Sequence, residues 1–129
     1  MHQQSELFLI PNAWDAGSTK LLASLGFSAI ATTSAGLAFA VGRKDGQMSR
    51  EETIANARAI VEATELPVSA DLENGFGDAA DDCQATILAG VEAGLAGGSI
   101  EDATGRPDQP IYEFGHAVDR VRAAAETAR

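Results

Sequence analysis

The residues best suited to chemistry are carboxylates that follow short apolar segments of the chain. Asp71, Glu73 and Glu101 lie at or just beyond the ends of two such segments, and Asp45 lies in a glycine-containing stretch after a third. Carboxylates without histidine or cysteine partners offer only hard oxygen ligands, which suit Mg²⁺ and disfavour Zn²⁺. The four acids therefore predict a site for a divalent cation, provided that the fold brings them together.

Two further acids have simpler interpretations. Asp78 and Asp102 are interpreted as helix caps or solvated loop charges, and Asp78 directly precedes a helical pattern that it could cap. Carboxylates at such positions are common in soluble proteins and need no ligand to explain them. Neither residue is included in the predicted cation site.

A run of small residues, Thr33-Ser34-Ala35-Gly36, directly follows another apolar segment. Small residues leave backbone N–H groups accessible, and such a loop can bind a carboxylate or a phosphate. A plain connection between two elements is an equally good interpretation of this run.

The elements that must position these residues alternate along the chain. Apolar runs predict strands at residues 7–10, 29–33, 68–71 and 98–101, and an amphipathic helical pattern follows each of them. Ser49 and Glu52 are spaced as a capping box at the start of one helix. Two longer connections, residues 34–48 and 103–110, are predicted to be loops.

The last helix is expected to open at Tyr112 and to bury Val118, Val121 and Ala125. With four strand–helix units and no hairpin signal, the pattern predicts right-handed crossovers and a parallel sheet. Four units can form a small open sheet or half of a (β/α)₈ barrel, since a complete barrel needs about 250 residues and this chain has 129. In either case ligands bind at the carboxyl ends of the strands, where the four acids lie.

Composition excludes several classes of partner. Nine basic residues against nineteen acidic ones give a net charge of −10, which disfavours binding to nucleic acid and to anionic lipid. Cys83 is the only cysteine, and it is expected to be buried and inert. No run is apolar and long enough to span a membrane, and no secretory signal is visible, so we expect a cytoplasmic protein.

Several motifs together resemble the isocitrate lyase/phosphoenolpyruvate mutase superfamily. These motifs are Asn12-Ala13-Trp14-Asp15-Ala16-Gly17-Ser18, Leu25-Gly26-Phe27, Thr33-Ser34-Ala35-Gly36, Asp71-Leu72-Glu73-Asn74-Gly75-Phe76-Gly77 and Ser99-Ile100-Glu101-Asp102. They occur in the family's order and extend over nearly the entire chain. The resemblance implies that residues 1–129 form the N-terminal half of a single (β/α)₈ barrel of the phosphoenolpyruvate-binding type.

The resemblance also implies a site and a reaction class. Asp71 would hold Mg²⁺ (or Mn²⁺ in its place), with Glu73, Asp45 and Glu101 around it largely through waters, and Asp45 and Glu101 would be the catalytic residues. Thr33, Ser34, Ala35 and Gly36 would bind the carboxylate of a 2-oxo acid or small dicarboxylate. The implied activity is a Mg²⁺-dependent lyase-type reaction, either C–C cleavage or decarboxylation, at the carbon next to a metal-bound enolate.

The sequence departs from the family in the segment after the fourth strand. Isocitrate and methylisocitrate lyases carry a Lys-Xaa-Cys-Gly-His type segment there, whose cysteine acts as catalytic acid. Here residues 103–110 contain neither cysteine nor histidine, and the lysine and Asn-Ser of the phosphonate branch are missing too. Arg106 is interpreted as a surface residue rather than a substrate contact.

Three alternatives stay open at this point. The first is a phosphonopyruvate-type mutase or hydrolase. The second is a non-catalytic half-barrel that oligomerises, or that pairs with a missing C-terminal half, and at most binds metal or ligand. The third is a flavodoxin-like domain, which is the weakest because Pro11-Asn12-Ala13-Trp14 replaces the glycine-rich turn it would need.

Overall fold

The structure is a computed structural model that describes residues 7–129. Its centre is a parallel sheet of four short strands in the order β1-β2-β3-β4, so each strand lies beside its predecessor in the chain. The strands are β1 (Asn12–Ala13), β2 (Ile30–Thr32), β3 (Val68–Asp71) and β4 (Gly97–Ser99). Sequential parallel order is the arrangement of the first four units of a (β/α)₈ barrel, so the predicted fold is confirmed.

Helices alternate with these strands along the chain, and the last helix follows the final strand. They are α1 (Ala16–Ser24), α2 (Ser34–Ala40), α3 (Arg50–Glu62), α4 (Ala80–Glu92) and α5 (Phe114–Thr127). A short antiparallel hairpin, β5 (Ala103–Arg106) and β6 (Gln109–Ile111), lies between β4 and α5. None of the helices within residues 7–129 is long and apolar enough to cross a membrane.

Side-chain caps fix where two of the helices begin. The predicted capping box of α3 is confirmed, since Glu52 N–H donates to Ser49 Oγ at 3.2 Å and Ser49 N–H donates to Glu52 Oε2 at 2.9 Å. Asp15 and Ser18 form a second such box at α1. Each cap satisfies backbone donors that would otherwise lack partners, a contribution of about 1 kcal/mol.

The core lies between the sheet and helices α3, α4 and α5. Leu72, Ile54 and Cys83 belong to one buried cluster, while Ile30 and Val68 belong to another with Ile60 of α3. Cys83 is fully buried, as expected. Burial of its thiol raises the pKa of Cys83, which keeps it protonated and unreactive.

The first strand lies later in the chain than predicted. Pairing with β2 starts where Ala31 N–H donates to Pro11 O at 2.9 Å, and β1 itself covers Asn12 and Ala13. The apolar run at 7–10 precedes this pairing, and its Leu7 and Leu9 are 92% and 66% exposed. The apolar run at 7–10 therefore lies just before β1 and does not form the strand.

The predicted loop at 34–48 was wrong in its first half, which forms α2. Thr33 Oγ1 caps this helix by accepting Gly36 N–H at 3.2 Å. Gly36 suggested a loop, but its role is close packing, because a Cβ there would lie 2.6 Å from Thr33 Cγ2 and 3.0 Å from Trp14 Cβ. The glycine signalled a tight contact within a helix instead of a flexible turn.

The predicted loop at 103–110 was also wrong, as was the absence of a hairpin, because β5 and β6 pair there. Pro107 and Asp108 fill the turn, and Gly105 takes a left-handed φ of 72° beside the irregular pairing. Before this hairpin, β4 ends at Ser99, so Glu101 lies beyond the end of that strand rather than on it.

The last helix also differs from its prediction. It begins at Phe114 with Glu113 as its cap, and Tyr112 lies before it. Val118, Val121 and Ala125, predicted to face inward, are exposed, whereas Arg120, Ala123 and Ala124 are the buried residues of the helix. Hydrophobicity alone pointed to a face that residues 7–129 leave uncovered.

Candidate metal centre

Asp71 is held firmly at the carboxyl end of β3. Its backbone N–H donates to Thr32 Oγ1 at 3.0 Å, and its two carboxylate oxygens accept the backbone N–H groups of Ser34 at 3.0 Å and Glu73 at 3.1 Å. The carboxylate therefore links the ends of β2 and β3. Two N–H donors fix its orientation and leave further lone pairs of its oxygens for a ligand.

Glu73 is the most perturbed acid of the site. It has a left-handed φ of 48°, an unusual conformation for a residue with a side chain. Burial, and then the negative charges of Asp45, Asp71 and Glu101, raise the pKa of Glu73 to about 7. Its Oε1 is buried without a hydrogen-bond partner in the structure. Such an atom is costly unless a proton or a cation satisfies it.

Glu101 brings the end of β4 to the same edge. Its backbone N–H donates to Glu73 O at 2.8 Å, which ties the segment after β4 to the loop after β3. Partial desolvation of the carboxyl, followed by the charges of Asp71, Asp45 and Asp102, raises the pKa of Glu101. A raised pKa makes this carboxylate a better proton acceptor than an ordinary glutamate.

Asp45 reaches the site from the segment between α2 and α3. It is exposed, and its Oδ1 accepts the N–H of Gly46 at 3.1 Å. Its charge contributes to the raised pKa values of both Glu73 and Glu101. The four acids predicted from the sequence thus gather at one edge of the sheet.

Three of these acids, Asp45, Glu73 and Glu101, face an open cleft of about 390 Å³, a volume suited to a small ligand. Its lining is mostly polar and consists of Ser34, Asp45, Gly46, Glu73, Asn74, Glu101, Ala103, Thr104 and Gly105. Of the predicted carboxylate-binding segment, only Ser34 lines this cleft.

Two of the N–H groups expected to bind a substrate carboxylate are engaged within the protein. Ser34 N–H donates to Asp71 and Gly36 N–H donates to Thr33. A carboxylate at this segment would therefore have to share the Ser34 donor with Asp71, or use the Ser34 hydroxyl and the N–H of Ala35.

A divalent cation fits the chemistry of these residues. The unpartnered Glu73 Oε1 and the mutual repulsion of four carboxylates are both relieved by a positive charge. Within residues 7–129, however, no three Asp, Glu, His or Cys side chains are arranged as a ready set of direct ligands. The arrangement suits Mg²⁺, which usually takes one or two carboxylates and keeps several waters.

A second group of polar residues, not predicted from the sequence, borders this centre. Asn74 Nδ2 donates to Tyr112 Oη at 3.0 Å, and Tyr112 Oη donates to Asp78 Oδ1 at 2.6 Å. Asp78 also pairs with Arg106 at 2.7 Å, which agrees with the surface interpretation of Arg106. The hydrogen bond from Tyr112, and then Arg106, lower the pKa of Asp78.

The interpretation of Asp78 as a helix cap was wrong. The N-cap residue of α4 is Ala79, and the carboxylate that accepts its N–H, at 3.0 Å, belongs to Asp82. Asp78 and Tyr112 lie 34 residues apart, and no local pattern announces such a contact. The sequence analysis singled out Tyr112, but as the first residue of the last helix rather than as a partner of Asp78.

Comparison with known proteins finds similar sequences. The sequence profile described as phosphoenolpyruvate phosphomutase matches residues 1–129. The chain is 36% identical over 99 residues to 2,3-dimethylmalate lyase of Eubacterium barkeri, covering 75% of this chain and 34% of that protein. It is 31% identical over 120 residues to 2-methylisocitrate lyase of Escherichia coli K12, covering 87% and 40%.

Solved structures show the same similarity. A protein from Burkholderia cenocepacia J2315, provisionally described as a lyase/mutase, superposes with a TM-score of 0.96 at 52% identity, covering 99% of this chain and 46% of that one. Phosphonopyruvate hydrolase in complex with oxalate and Mg²⁺ superposes with a TM-score of 0.89 at 25% identity, covering 96% and 44%. The chain therefore spans less than half the length of each of these proteins.

Proposed function

The chain belongs to the phosphoenolpyruvate phosphomutase family, within the superfamily that also contains isocitrate lyase, and on that premise we propose that it forms the N-terminal half of a Mg²⁺-dependent lyase. Its substrate would be a 2-oxo acid, its enolate, or a related small dicarboxylate. The observation that carries this proposal is the buried, unpartnered Glu73 Oε1 beside three other carboxylates. Support also comes from the relatives, which include 2,3-dimethylmalate lyase and 2-methylisocitrate lyase.

In this proposal Asp71, Glu73, Asp45 and Glu101 hold the ion, mostly through waters. Bound Mg²⁺, or Mn²⁺ in its place, supplies a positive charge that stabilises the negative charge developing on an enolate oxygen. The substrate carboxylate would lie beside the acids at the segment Thr33, Ser34, Ala35 and Gly36, where it would share the Ser34 N–H with Asp71 or use the Ser34 hydroxyl and the Ala35 N–H, since Gly36 N–H is bonded to Thr33. The ordered carboxylate of Asp71 joins these two groups, because it already contacts Ser34 N–H.

Asp45 and Glu101 are proposed to move protons at the reacting carbon. Glu101 lines the cleft and has a raised pKa, so it accepts a proton more readily than an ordinary glutamate. Asp45, on the segment between α2 and α3, lines the same cleft.

The hairpin after β4 bears on the type of reaction. It supplies Ala103, Thr104 and Gly105 to the cleft and no side chain that could act as a catalytic acid. A reaction that takes its proton from a side chain of this hairpin is therefore disfavoured, and Glu101 in the same cleft is the proposed proton carrier.

A second candidate is a half-barrel that associates and at most binds metal or ligand. Ile100, Phe114, Ala117, Val118 and Val121 line an exposed apolar groove beside β4. An apolar surface of this kind commonly marks an interaction site. Its occupant would be a second copy of the chain or the C-terminal half of the barrel.

Metal binding tests the proposal directly. Mn²⁺ titration of the chain, followed by electron paramagnetic resonance, should show a site that Mg²⁺ competes for and that Glu73→Gln weakens about tenfold or more. Glu65→Gln is the matched control, since Glu65 is an exposed glutamate before β3, at the opposite end of that strand. Wild-type protein without a competable Mn²⁺ site, or turnover of a 2-oxo acid that persists in chelator, would contradict the proposal.

A further inference from the structure

One buried arginine organises the loop that carries Glu73. Arg120 of α5 is only 1% exposed, and its guanidinium reaches across to the segment between β3 and α4. It donates to Gly77 O at 2.7 Å, to Asp78 O at 2.5 Å and, at the limit of a hydrogen bond, to Ala79 O at 3.5 Å. It also donates to Asn74 O. Four backbone carbonyls of one loop thus converge on one side chain.

Tyr112 completes the environment of this guanidinium. Its ring lies with its centroid 4.1 Å from Arg120 Cζ, a stacking distance, and its hydroxyl contacts both Asn74 and Asp78. Even so, Arg120 Nε is buried without a partner. Burying a charged group this fully is unfavourable, and a well-packed apolar residue would usually be at least as stabilising. The arginine therefore calls for an explanation other than stability.

The loop that it holds is conformationally strained. Glu73 and Phe76 have φ values of 48° and 61°, and Gly75 between them has 83°. Side-chain-bearing residues rarely adopt this region and keep it only where the surroundings enforce it. Besides Arg120, the buried Thr86 hydroxyl holds Gly75 O at 2.7 Å.

We propose that Arg120 is a positioning residue, which clamps the loop after β3 through its carbonyls so that Glu73 is presented to the acidic cleft. The planar guanidinium suits this role because it can donate to several separated carbonyls at once, which a lysine ammonium does less well. Without the clamp the loop relaxes toward ordinary φ values, and the Glu73 carboxylate leaves the cleft. The consequence for metal binding rests on the proposed function, whereas the clamp itself does not.

The experiment compares Arg120→Met, which keeps most of the apolar stem, with Arg120→Lys, which keeps the charge. Both are expected to weaken Mn²⁺ binding about tenfold or more. Both are also expected to accelerate hydrogen exchange at the amides of Glu73, Gly75 and Phe76. In the wild type these amides are hydrogen-bonded to Asp71, Leu72 and Asn74 respectively. Peptides from α1 and β2 should exchange as in the wild type.

The matched control is Arg122→Met on the same helix. Arg122 is exposed and pairs only locally with Asp119, at 2.7 Å, so this variant makes the same change of charge and size without touching the loop. Its Mn²⁺ affinity and loop exchange should equal those of the wild type. If Arg120→Met does not fold, Thr86→Val removes a different loop contact and should produce the same two effects more weakly.

The outcomes separate the clamp from the proposed metal site. Unchanged loop exchange in Arg120→Met, or uniform acceleration over the whole chain, would overturn the positioning role. Wild-type Mn²⁺ affinity in Arg120→Lys would overturn it as well, because charge would then suffice. If the wild type binds no Mn²⁺, the proposed function fails, and loop exchange alone decides whether Arg120 positions the loop.

Discussion

At the scale of single residues, the site is built around a side chain in an unfavourable environment. Glu73 combines a left-handed backbone, a partly buried carboxyl with an unpartnered oxygen, and three neighbouring negative charges. Every one of these features opposes ionisation or folding of the unliganded protein. A bound cation would offset the repulsion and satisfy the unpartnered oxygen. The features that lower the stability of the metal-free protein are therefore the ones that favour cation binding.

Glu73→Gln should therefore stabilise the metal-free protein at alkaline pH. The pKa of Glu73 is about 7 in the folded chain against 4.5 normally, so the folded state binds more protons between these values. Its stability then falls as pH rises from the unfolded pKa through the folded one. After allowance for solvent screening, the variant should gain on the order of 1 kcal/mol near pH 8, several degrees in Tm, and little near pH 4.

Thermal unfolding in chelator at the two pH values measures this effect. Glu65→Gln, the exposed control, should leave the pH dependence of Tm unchanged. A Glu73→Gln variant that is less stable than the wild type at alkaline pH would show that the carboxylate has a favourable partner in the folded state.

Sequence reasoning found these acids but not the residues that hold them. Asp71 and Glu101 were predictable because the carboxyl ends of parallel strands share one edge, whatever the details of packing. Arg120 was not, because its helix pattern reads as an ordinary solvated face and its contacts lie 41 to 46 residues away in the chain. A long-range clamp leaves no local periodicity.

At the scale of elements, a local signal predicted the start of α3, whereas the starts of α4 and α5 were predicted wrongly. The Ser49–Glu52 box was predicted because its spacing reflects a reciprocal hydrogen bond inside one turn. The β5–β6 hairpin and α2 were missed because glycine and proline were taken to indicate loops. In α2, Gly36 permits close packing against Thr33 and Trp14. In the hairpin, Gly105 takes a left-handed φ beside the irregular pairing of β5 and β6.

Ser49→Ala tests the contribution of this capping box to α3. The substitution removes the acceptor for Glu52 N–H and should lower the free energy of unfolding by about 1 kcal/mol. Helix α3 packs against α1, α2 and α4, so the loss should appear in global unfolding rather than as local fraying. Urea denaturation monitored by circular dichroism measures it.

Ser24→Ala provides the comparison, because the exposed Ser24 hydroxyl bonds only to Leu21 O of its own helix. That change should shift the free energy of unfolding by less than about 0.5 kcal/mol. Equal effects of the two substitutions would mean that the capping box adds nothing beyond a surface serine.

At the scale of the whole molecule, the sheet is open and one apolar face is uncovered. Among residues 7–129, β1 and β4 each have a single neighbour in the four-stranded sheet. Beside β4 the groove formed with α5 includes Phe114, 80% exposed, and Val121, 48% exposed. The apolar residues on this face of α5 are explained if another chain or segment covers them. For this reason the hydrophobic pattern predicted that Val118, Val121 and Ala125 are buried, although they are exposed here.

The uncovered groove predicts self-association of the isolated chain, which Val121→Lys should reduce. A lysine there puts a charge into the groove while leaving the buried side of α5 untouched. It also lowers the net negative charge of −10, so weaker association could not be attributed to greater repulsion between copies. Size-exclusion chromatography with light scattering over a range of concentrations measures the effect.

The matched control is Val41→Lys. Val41 is 54% exposed at the end of α2, outside the groove, so this variant should associate like the wild type. A wild-type chain that stays monomeric at every concentration would show that the groove does not bind a second copy, and would leave a C-terminal half-barrel as the occupant that its chemistry fits.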